Sequence, residues 1–300
     1  MKVSVSIIIV NYNTKELTKN CIDSIFKYTT DINFEVILVD NDSFDGSVEL
    51  FSVDNRIRFI RSGGNLGFGK ANNIGYLHSI GKYIFLLNSD TILLNNAVKI
   101  FYNKMEKLPV YVSCIGTILK GQDMDEIHSY GAFPTPTKEL LFRTIGPILK
   151  LFRIKLWLYD NPNIRKNNDF EVDYITGADL FIRKEVIEKC GFFDPDFFLY
   201  YEETELQYRF KKNGYKNMIV YGPEIIHLFG GSNKEKKTNS LKRRIMSLKS
   251  CFLYLKKTCK AYQYIIFRIL LIFMSSPILL HLRFPLKERL EYMKFLMKKI

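Results

Sequence analysis

Tyr83-Ile84-Phe85-Leu86-Leu87-Asn88-Ser89-Asp90-Thr91 is the stretch from which the rest of this sequence is read. Five large apolar residues follow one another with neither an alternating nor a helical period, as in a strand covered on both faces. The run then breaks into Asn88, Ser89 and Asp90. Open α/β sheets bind their ligands beyond the carboxyl ends of the strands, so Asp90 stands where a ligand would be met. A hard divalent cation, which prefers oxygen ligands, is the simplest bridge from such a carboxylate to a diphosphate. The same three residues also suit a plain turn that closes a strand. The neighbouring segments decide between the two.

Upstream, Val3 to Val10 and Phe34 to Val39 are β-branched runs and read as buried strands, the second ending at Asp40. Ile57 to Ile60 reads as a third, shorter strand. Between them, Asn13 followed by Glu16 has the spacing of a capping box, with Leu17, Cys21, Ile25 and Tyr28 on one helical face. Ala71, Ile74 and Leu77 mark another helix, which Gly81 is expected to stop. Alternating strands and helices predict an α/β fold with a mostly parallel sheet and helices on both faces. Asp40 and Asp90 then both stand at strand ends facing one crevice. The glycine-rich Gly63 to Lys70 contains neither G-x-G-x-x-G nor G-K-[ST], which excludes a dinucleotide fingerprint and a P-loop.

The chain has 300 residues, 47% of them hydrophobic, enough for one large core or a core plus an appendage. Its five cysteines are scattered and form no C-x-x-C pair, which predicts reduced thiols in a cytosolic compartment. Val3 to Val10 lacks a signal peptide's length and cleavage site and is expected to be a first strand. The net charge of +13 is unevenly placed. From Gly231 to Ile300 there are 17 Lys and Arg against 3 Glu, leaving 27 basic and 28 acidic residues in the remainder.

In that tail, Leu241, Ile245, Leu248, Phe252 and Leu255 recur near helical spacing among basic residues. Tyr262 to Leu280 is almost wholly apolar, interrupted by Gln263, Arg268, serines and Pro277. An Arg near the centre of a spanning helix costs about 2.5–3.5 kcal/mol on insertion scales. The pattern therefore predicts a helix lying in a membrane interface, with flanking Lys and Arg on anionic headgroups. Leu, Ile and Phe between the charges argue against a nucleic-acid partner. A helical appendage packed on the main domain is the remaining alternative.

Four motifs follow one another in order. They are Val5-Ser6-Ile7-Ile8-Ile9-Val10-Asn11-Tyr12-Asn13, Val39-Asp40-Asn41-Asp42-Ser43, Asn65 to Gly75, and Leu87-Asn88-Ser89-Asp90. Together the chain resembles glycosyltransferase family 2, inverting enzymes of the GT-A fold, and within it the rhamnosyltransferase-like branch that builds bacterial surface polysaccharides. The likeness continues through Thr176 to Arg183, through Gly191 to Leu206, and through His227 to Ser232.

The resemblance implies a Rossmann-like GT-A domain over 1–232, with a nucleotide-sugar half at 1–118, an acceptor half at 119–232, and a helical tail at 233–300. It implies transfer of a sugar, rhamnose in the nearest branch, from a dTDP- or UDP-linked donor to a lipid-linked saccharide at the cytoplasmic side of the cell membrane. Asn11, Asn13, Asp40, Asn65, Gly67, Lys70, Asn72 and Ser89 would hold the nucleotide sugar, with Asp40 accepting the N3–H that uracil and thymine share. Asp90 and His227 would hold Mg²⁺ or Mn²⁺ against the leaving diphosphate. Glu203 or Glu202, at a helix start that favours the ionised form, would take the acceptor's proton. The aromatic run Phe197, Phe198, Tyr200 and Tyr201 would line the sugar pocket.

The sequence departs from the family at Glu203, where Asp is usual, at Asn88, where many members carry Asp, and at Asn72, where other branches carry an Arg for which Lys70 can substitute. Two alternatives stand beside this reading: a sugar-nucleotide pyrophosphorylase, for which Asn11 to Thr14 offers no basic glycine-rich loop, and a non-catalytic membrane-bound nucleotide-sugar-binding scaffold.

Overall fold

Four parallel strands form one side of the central sheet: β1 (Val5–Asn11), β2 (Phe34–Asp40), β3 (Arg58–Arg61) and β4 (Tyr83–Leu87). They are joined through α1 (Lys15–Tyr28), α2 (Ser47–Phe51) and α3 (Phe68–Leu77). The computed structural model describes residues 2–144, 146, 168–228, 241–280 and 284–298. Pro147, in a middle stretch whose prolines and glycines read as loops and short helices, and Phe229, Gly230, Gly231 and Ser232 of the segment from His227 to Ser232 lie outside the described residues.

After β4 come β5 (Thr91–Leu93), α4 (Ala97–Lys107), β6 (Val112–Gly116), β7 (Tyr130–Gly131) and α5 (Pro136–Thr144). Then follow β8 (Phe170–Val172), β9 (Tyr174–Ile175), β10 (Asp179–Arg183) and α6 (Lys184–Cys190). Next are α7 (Glu202–Lys212), β11 (Lys216–Ile219) and β12 (Ile225–His227). The eight-stranded sheet runs β3-β2-β1-β4-β10-β6-β11-β8. It is mostly parallel as expected, but β10 is antiparallel to both its neighbours and β8 to β11.

Every residue of β4 is buried. Full burial of side chains this size is worth about 1.5–3 kcal/mol each, so the central strand is fixed by its covering layers. Two expectations about local signals are corrected. Asn13 does not cap α1: its φ is 54° and its Oδ1 accepts from the Phe44 N–H at 2.8 Å. The Lys15 N–H at the helix start is instead met by Asp45 Oδ2 at 2.8 Å. Nor does Gly81 stop α3, which ends at Leu77. A Cβ at residue 81 would come within 2.5 Å of the Ser6 backbone nitrogen, so Gly81 allows close approach to β1.

The chain folds as two compact units. The first comprises the described residues of Met1–Gly131, Asn163–Phe198 and Glu202–Lys234, the second those of Ala132–Pro162, Leu199–Tyr201 and Glu235–Ile300. The second unit contains α5, α8 (Leu241–Thr258), α9 (Ala261–Ser275) and α10 (Leu286–Met297). Leu241, Leu248, Phe252 and Leu255 of the anticipated apolar face are buried. Arg268, the charge that interrupts the apolar helix, is turned inward. It is 4% exposed and donates to the carbonyls of Leu296 and Lys298 at 2.7 and 2.9 Å. Those carbonyls end α10, where the helix dipole favours a cation.

A Cβ added at Gly75, on the buried side of α3, would meet Ile8 Cγ2 of β1 at 2.5 Å and Val39 Cγ2 of β2 at 3.3 Å. Gly75→Ala is expected to destabilise the protein by about 1–3 kcal/mol, the usual range for overpacking. A urea midpoint equal to that of the unsubstituted chain would contradict this packing.

Candidate active site

The carboxyl ends of β1 and β2 are tied together side chain to side chain. Asn11 Nδ2 donates to Asp40 Oδ2 at 2.7 Å and to Ser43 Oγ at 3.0 Å, and the Ser43 N–H donates to Asp40 Oδ1 at 3.0 Å. Asn11 Oδ1 accepts from the hydroxyls of Thr14 and Thr18 at 2.8 and 2.9 Å. Asp40 is 1% exposed, and each of its oxygens keeps a second acceptor lone pair. Thr14 Oγ1 reaches Ser89 Oγ at 3.1 Å, linking this network to the end of β4.

Asp90 follows β4, and β5 turns back to pair antiparallel with β12 in the register Thr91 to His227. That ladder brings His227 Nε2 to 3.1 Å from Asp90 Oδ1, and the Leu228 N–H donates to the Asp90 carbonyl at 2.8 Å. Asn88 Nδ2 lies 3.5 Å from His227 Nε2. Two groups distant in sequence, both named from sequence as metal ligands, are thus side by side. No three His, Cys, Asp or Glu side chains converge among the described residues. A carboxylate with an imidazole nonetheless fits a divalent cation whose other positions are filled by phosphate and water oxygens, and the imidazole favours Mn²⁺ over Mg²⁺.

The segment around Asn65 is built from backbone. Asn41 Nδ2 donates to Asn65 Oδ1 at 3.1 Å, and the Leu66 N–H donates to Asn41 Oδ1 at 3.0 Å. Gly67 has φ 85°, and a Cβ there would sit 2.1 Å from the Phe198 carbonyl oxygen, so only glycine fits. Lys70 is exposed. Asn72 is buried, with its amide donating to the Phe68 carbonyl of its own helix at 3.0 Å.

Glu202 and Glu203 open α7 and point to different surroundings. Cβ of Glu202 lies beside Gly69 of α3, whereas Cβ of Glu203 lies beside Gly177. The next residue, Ala178, accepts the Asn88 N–H at 3.0 Å, two positions before Asp90. Glu203 is therefore the one on the side of the β4 end. The helix start alone does not set the charge of these carboxylates. Burial pushes Glu203 up to about 7, against the pull of the N–H groups of Glu203 and Thr204. Burial, reinforced by Glu203, holds Glu202 well above the usual carboxylate range, and its Oε2 has no hydrogen-bond partner among the described residues. Desolvation outweighs the dipole here.

Of the aromatic run, Phe197 is buried, and Tyr201 takes a hydrogen bond from Arg143 at 2.8 Å within the second unit. Phe198 and Tyr200 are exposed. Sequence reading passed over Thr14, Asn41 and Ser43, although Asn41 and Ser43 lie within the Asp40 motif. It also passed over Asp179, fully buried at the start of β10, whose Oδ2 accepts the Thr117 N–H at 2.6 Å and whose carboxyl is held by burial well above the usual carboxylate range.

A family model described as glycosyl transferase family 2 matches residues 6–191. The low-salt glycan biosynthesis hexosyltransferase of Haloferax volcanii is 31% identical over 210 residues, covering 69% of this chain and 61% of that protein. The N-acetylglucosaminyl-diphospho-decaprenol L-rhamnosyltransferase of Mycobacterium tuberculosis is 22% identical over 206 residues, 64% of this chain and 66% of the relative. The chain thus spans just under two thirds of either protein. Among solved structures, GalNAc-T7 with UDP, GalNAc and Mn²⁺ superposes with a TM-score of 0.61 at 15% identity, over 100% of this chain and 56% of the other. At that identity the likeness establishes the GT-A fold alone.

The raised carboxyls carry a stability signature. A carboxyl whose folded pKa lies above its unfolded one stabilises the fold below the ordinary value of 4.5, and that contribution is lost as pH rises through about 7. Glu202→Gln removes one buried charge. Its melting temperature should match the parent's near pH 4 and exceed it increasingly toward pH 8. A gap independent of pH would contradict the burial of an ionisable pair.

Proposed function

This chain belongs to glycosyltransferase family 2, and on that premise we propose that it transfers a hexosyl or deoxyhexosyl group, rhamnose in one version, with inversion from a dTDP- or UDP-linked donor to a lipid-linked saccharide during cell-surface glycan synthesis. The observation that carries the reading is the Asp90–His227 pair at 3.1 Å beyond the central strand, with Glu203 on the same side of α7 as the segment bonded to Asn88. Asp40 takes the N3–H of the base on its free lone pairs, and the backbone around Asn65 and Gly67 lies along the donor together with Asn13, Lys70 and Ser89. Asn72 supports α3 rather than the donor, since its amide is bonded within the helix.

Asp90 and His227 would hold a divalent cation, Mn²⁺ in preference to Mg²⁺. Such an ion supplies positive charge for the departing diphosphate. Glu203 takes the proton from the acceptor hydroxyl as its oxygen attacks the anomeric carbon. The bond from that carbon to the diphosphate oxygen breaks on the opposite face, which inverts the configuration. A base poised near pH 7 is well matched to this task.

The name of the mycobacterial relative, which specifies a diphospho-decaprenol acceptor, supports a lipid-linked acceptor here. With the apolar Ala261–Leu280 helix it supports work at the cytoplasmic surface of the cell membrane, peripheral or monotopic. A purely nucleotide-binding scaffold would share the fold without the chemistry.

Calorimetry with Mn²⁺ and rate measurements test the assignment together. Uridine or thymidine diphosphate sugars should bind and cytidine ones bind weakly, and Asp90→Ala should abolish the metal-dependent part. Glu203→Gln should leave binding intact and lower kcat by about 10²–10⁴, Glu203→Asp should be tolerated, and Glu202→Gln should cost less than Glu203→Gln. Unchanged kcat in Glu203→Gln would remove the base from this account.

A further inference from the structure

Helix α9 is turned inside out. Its single charged side chain, Arg268, lies on the buried face with Phe267 and Leu271, while Ile265, Ile266, Ile269, Leu270 and Phe273 point outward and are 41–76% exposed. A helix facing water has the opposite arrangement, and soluble monomers rarely leave so continuous an apolar face uncovered. The Arg268 guanidinium is directed inward. It holds the last carbonyls of α10, donates to Tyr264 Oη at 3.0 Å and lies 4.1 Å from the centre of the Phe252 ring.

Exposed lysines on the two helices packed beside α9 argue for what covers it. Within the same unit, Lys242, Lys249 and Lys256 recur every seventh residue along α8, and Lys287, Lys294 and Lys298 stand out from α10 and its end, all exposed. A second copy of the chain would set lysine against lysine. An anionic headgroup layer over hydrocarbon meets both the lysines and the apolar face.

The 20 residues of Ala261–Leu280 are long enough to cross a bilayer. However, α9 packs along one side on α5, α8 and α10, and Ser276–Leu280 tightens into a 3₁₀ turn containing Pro277. Among the described residues, one side is thus packed on protein and the other exposed.

We propose that the outward face of α9 sits in the acyl region of a single leaflet of an anionic membrane, as a monotopic anchor whose only charge is latched inward onto the end of α10. The inference deepens the membrane part of the proposed function and rests on that reading for its purpose, with its own observations for support.

The full chain should float with phosphatidylcholine vesicles containing 30% phosphatidylglycerol, and the double substitution Ile269→Glu with Phe273→Glu should lower the bound fraction at least tenfold. Circular dichroism and the Mn²⁺–nucleotide titration should not change in that variant. A C-terminal NBD group on externally added protein should be quenched completely by dithionite. Equal flotation of the variant would overturn the proposal. So would a vesicle-independent dimer that the substitutions dissociate, since a second copy would then be the cover. Protection of the NBD group from dithionite would mean that the helix crosses. Flotation as expected without nucleotide binding would fault the donor reading and leave this anchor standing.

Discussion

The pairing of β5 with β12 is the constraint on which this site depends. Asp90 is placed by a strand that is buried on every side, and a strand so held cannot slide in register without exposing its apolar residues. His227 reaches it only because the Thr91-to-His227 register closes a small antiparallel ladder beyond the end of the main sheet. The Asn11–Asp40–Ser43 network does the same for the neighbouring strands, and Thr14 with Ser89 joins the two. The rigid part of the site is thus a set of strand ends cross-linked by short polar side chains.

Buried charge is handled differently in three places. Arg183 is 7% exposed and donates to the carbonyls of Met105 and Leu108 at 2.8 and 2.9 Å, closing the end of α4. Arg268 does the same for α10, so each half of the chain seals a helix end with a buried guanidinium whose fixed fork matches paired carbonyls. Glu202 and Glu203 have no such cation among the described residues, and burial shifts them toward the neutral form. The first two arrangements organise the fold. The third leaves a proton-accepting group near neutral pH, which is useful chemically and destabilising structurally.

What could be read from the sequence follows the range of the forces involved. The apolar run at Tyr83, the β-branched runs before it and the parallel order of the sheet were legible because burial on two faces leaves a local pattern. Asp40 and Asp90 were legible because they break those runs. The antiparallel insertion of β10 was not, since nothing in Asp179–Arg183 itself states its direction. The capping role assigned to Asn13 failed because a distant Asp45 took the helix start, and the upward shift of Glu203 was not legible because its desolvation comes from elements remote in sequence. Arg268 could be seen as an anomaly in an apolar helix, but its resolution by the end of α10 could not.

The account's central claim is that Glu203 deprotonates an acceptor that attacks from the face opposite the diphosphate. Proton NMR of the glycoside formed with whichever nucleotide sugar and acceptor the enzyme turns over tests it directly, since its anomeric centre is fixed in the new bond. An anomeric configuration opposite to the donor's is the predicted result. A product that retains the donor's configuration would contradict the single-displacement mechanism and the role given to Glu203.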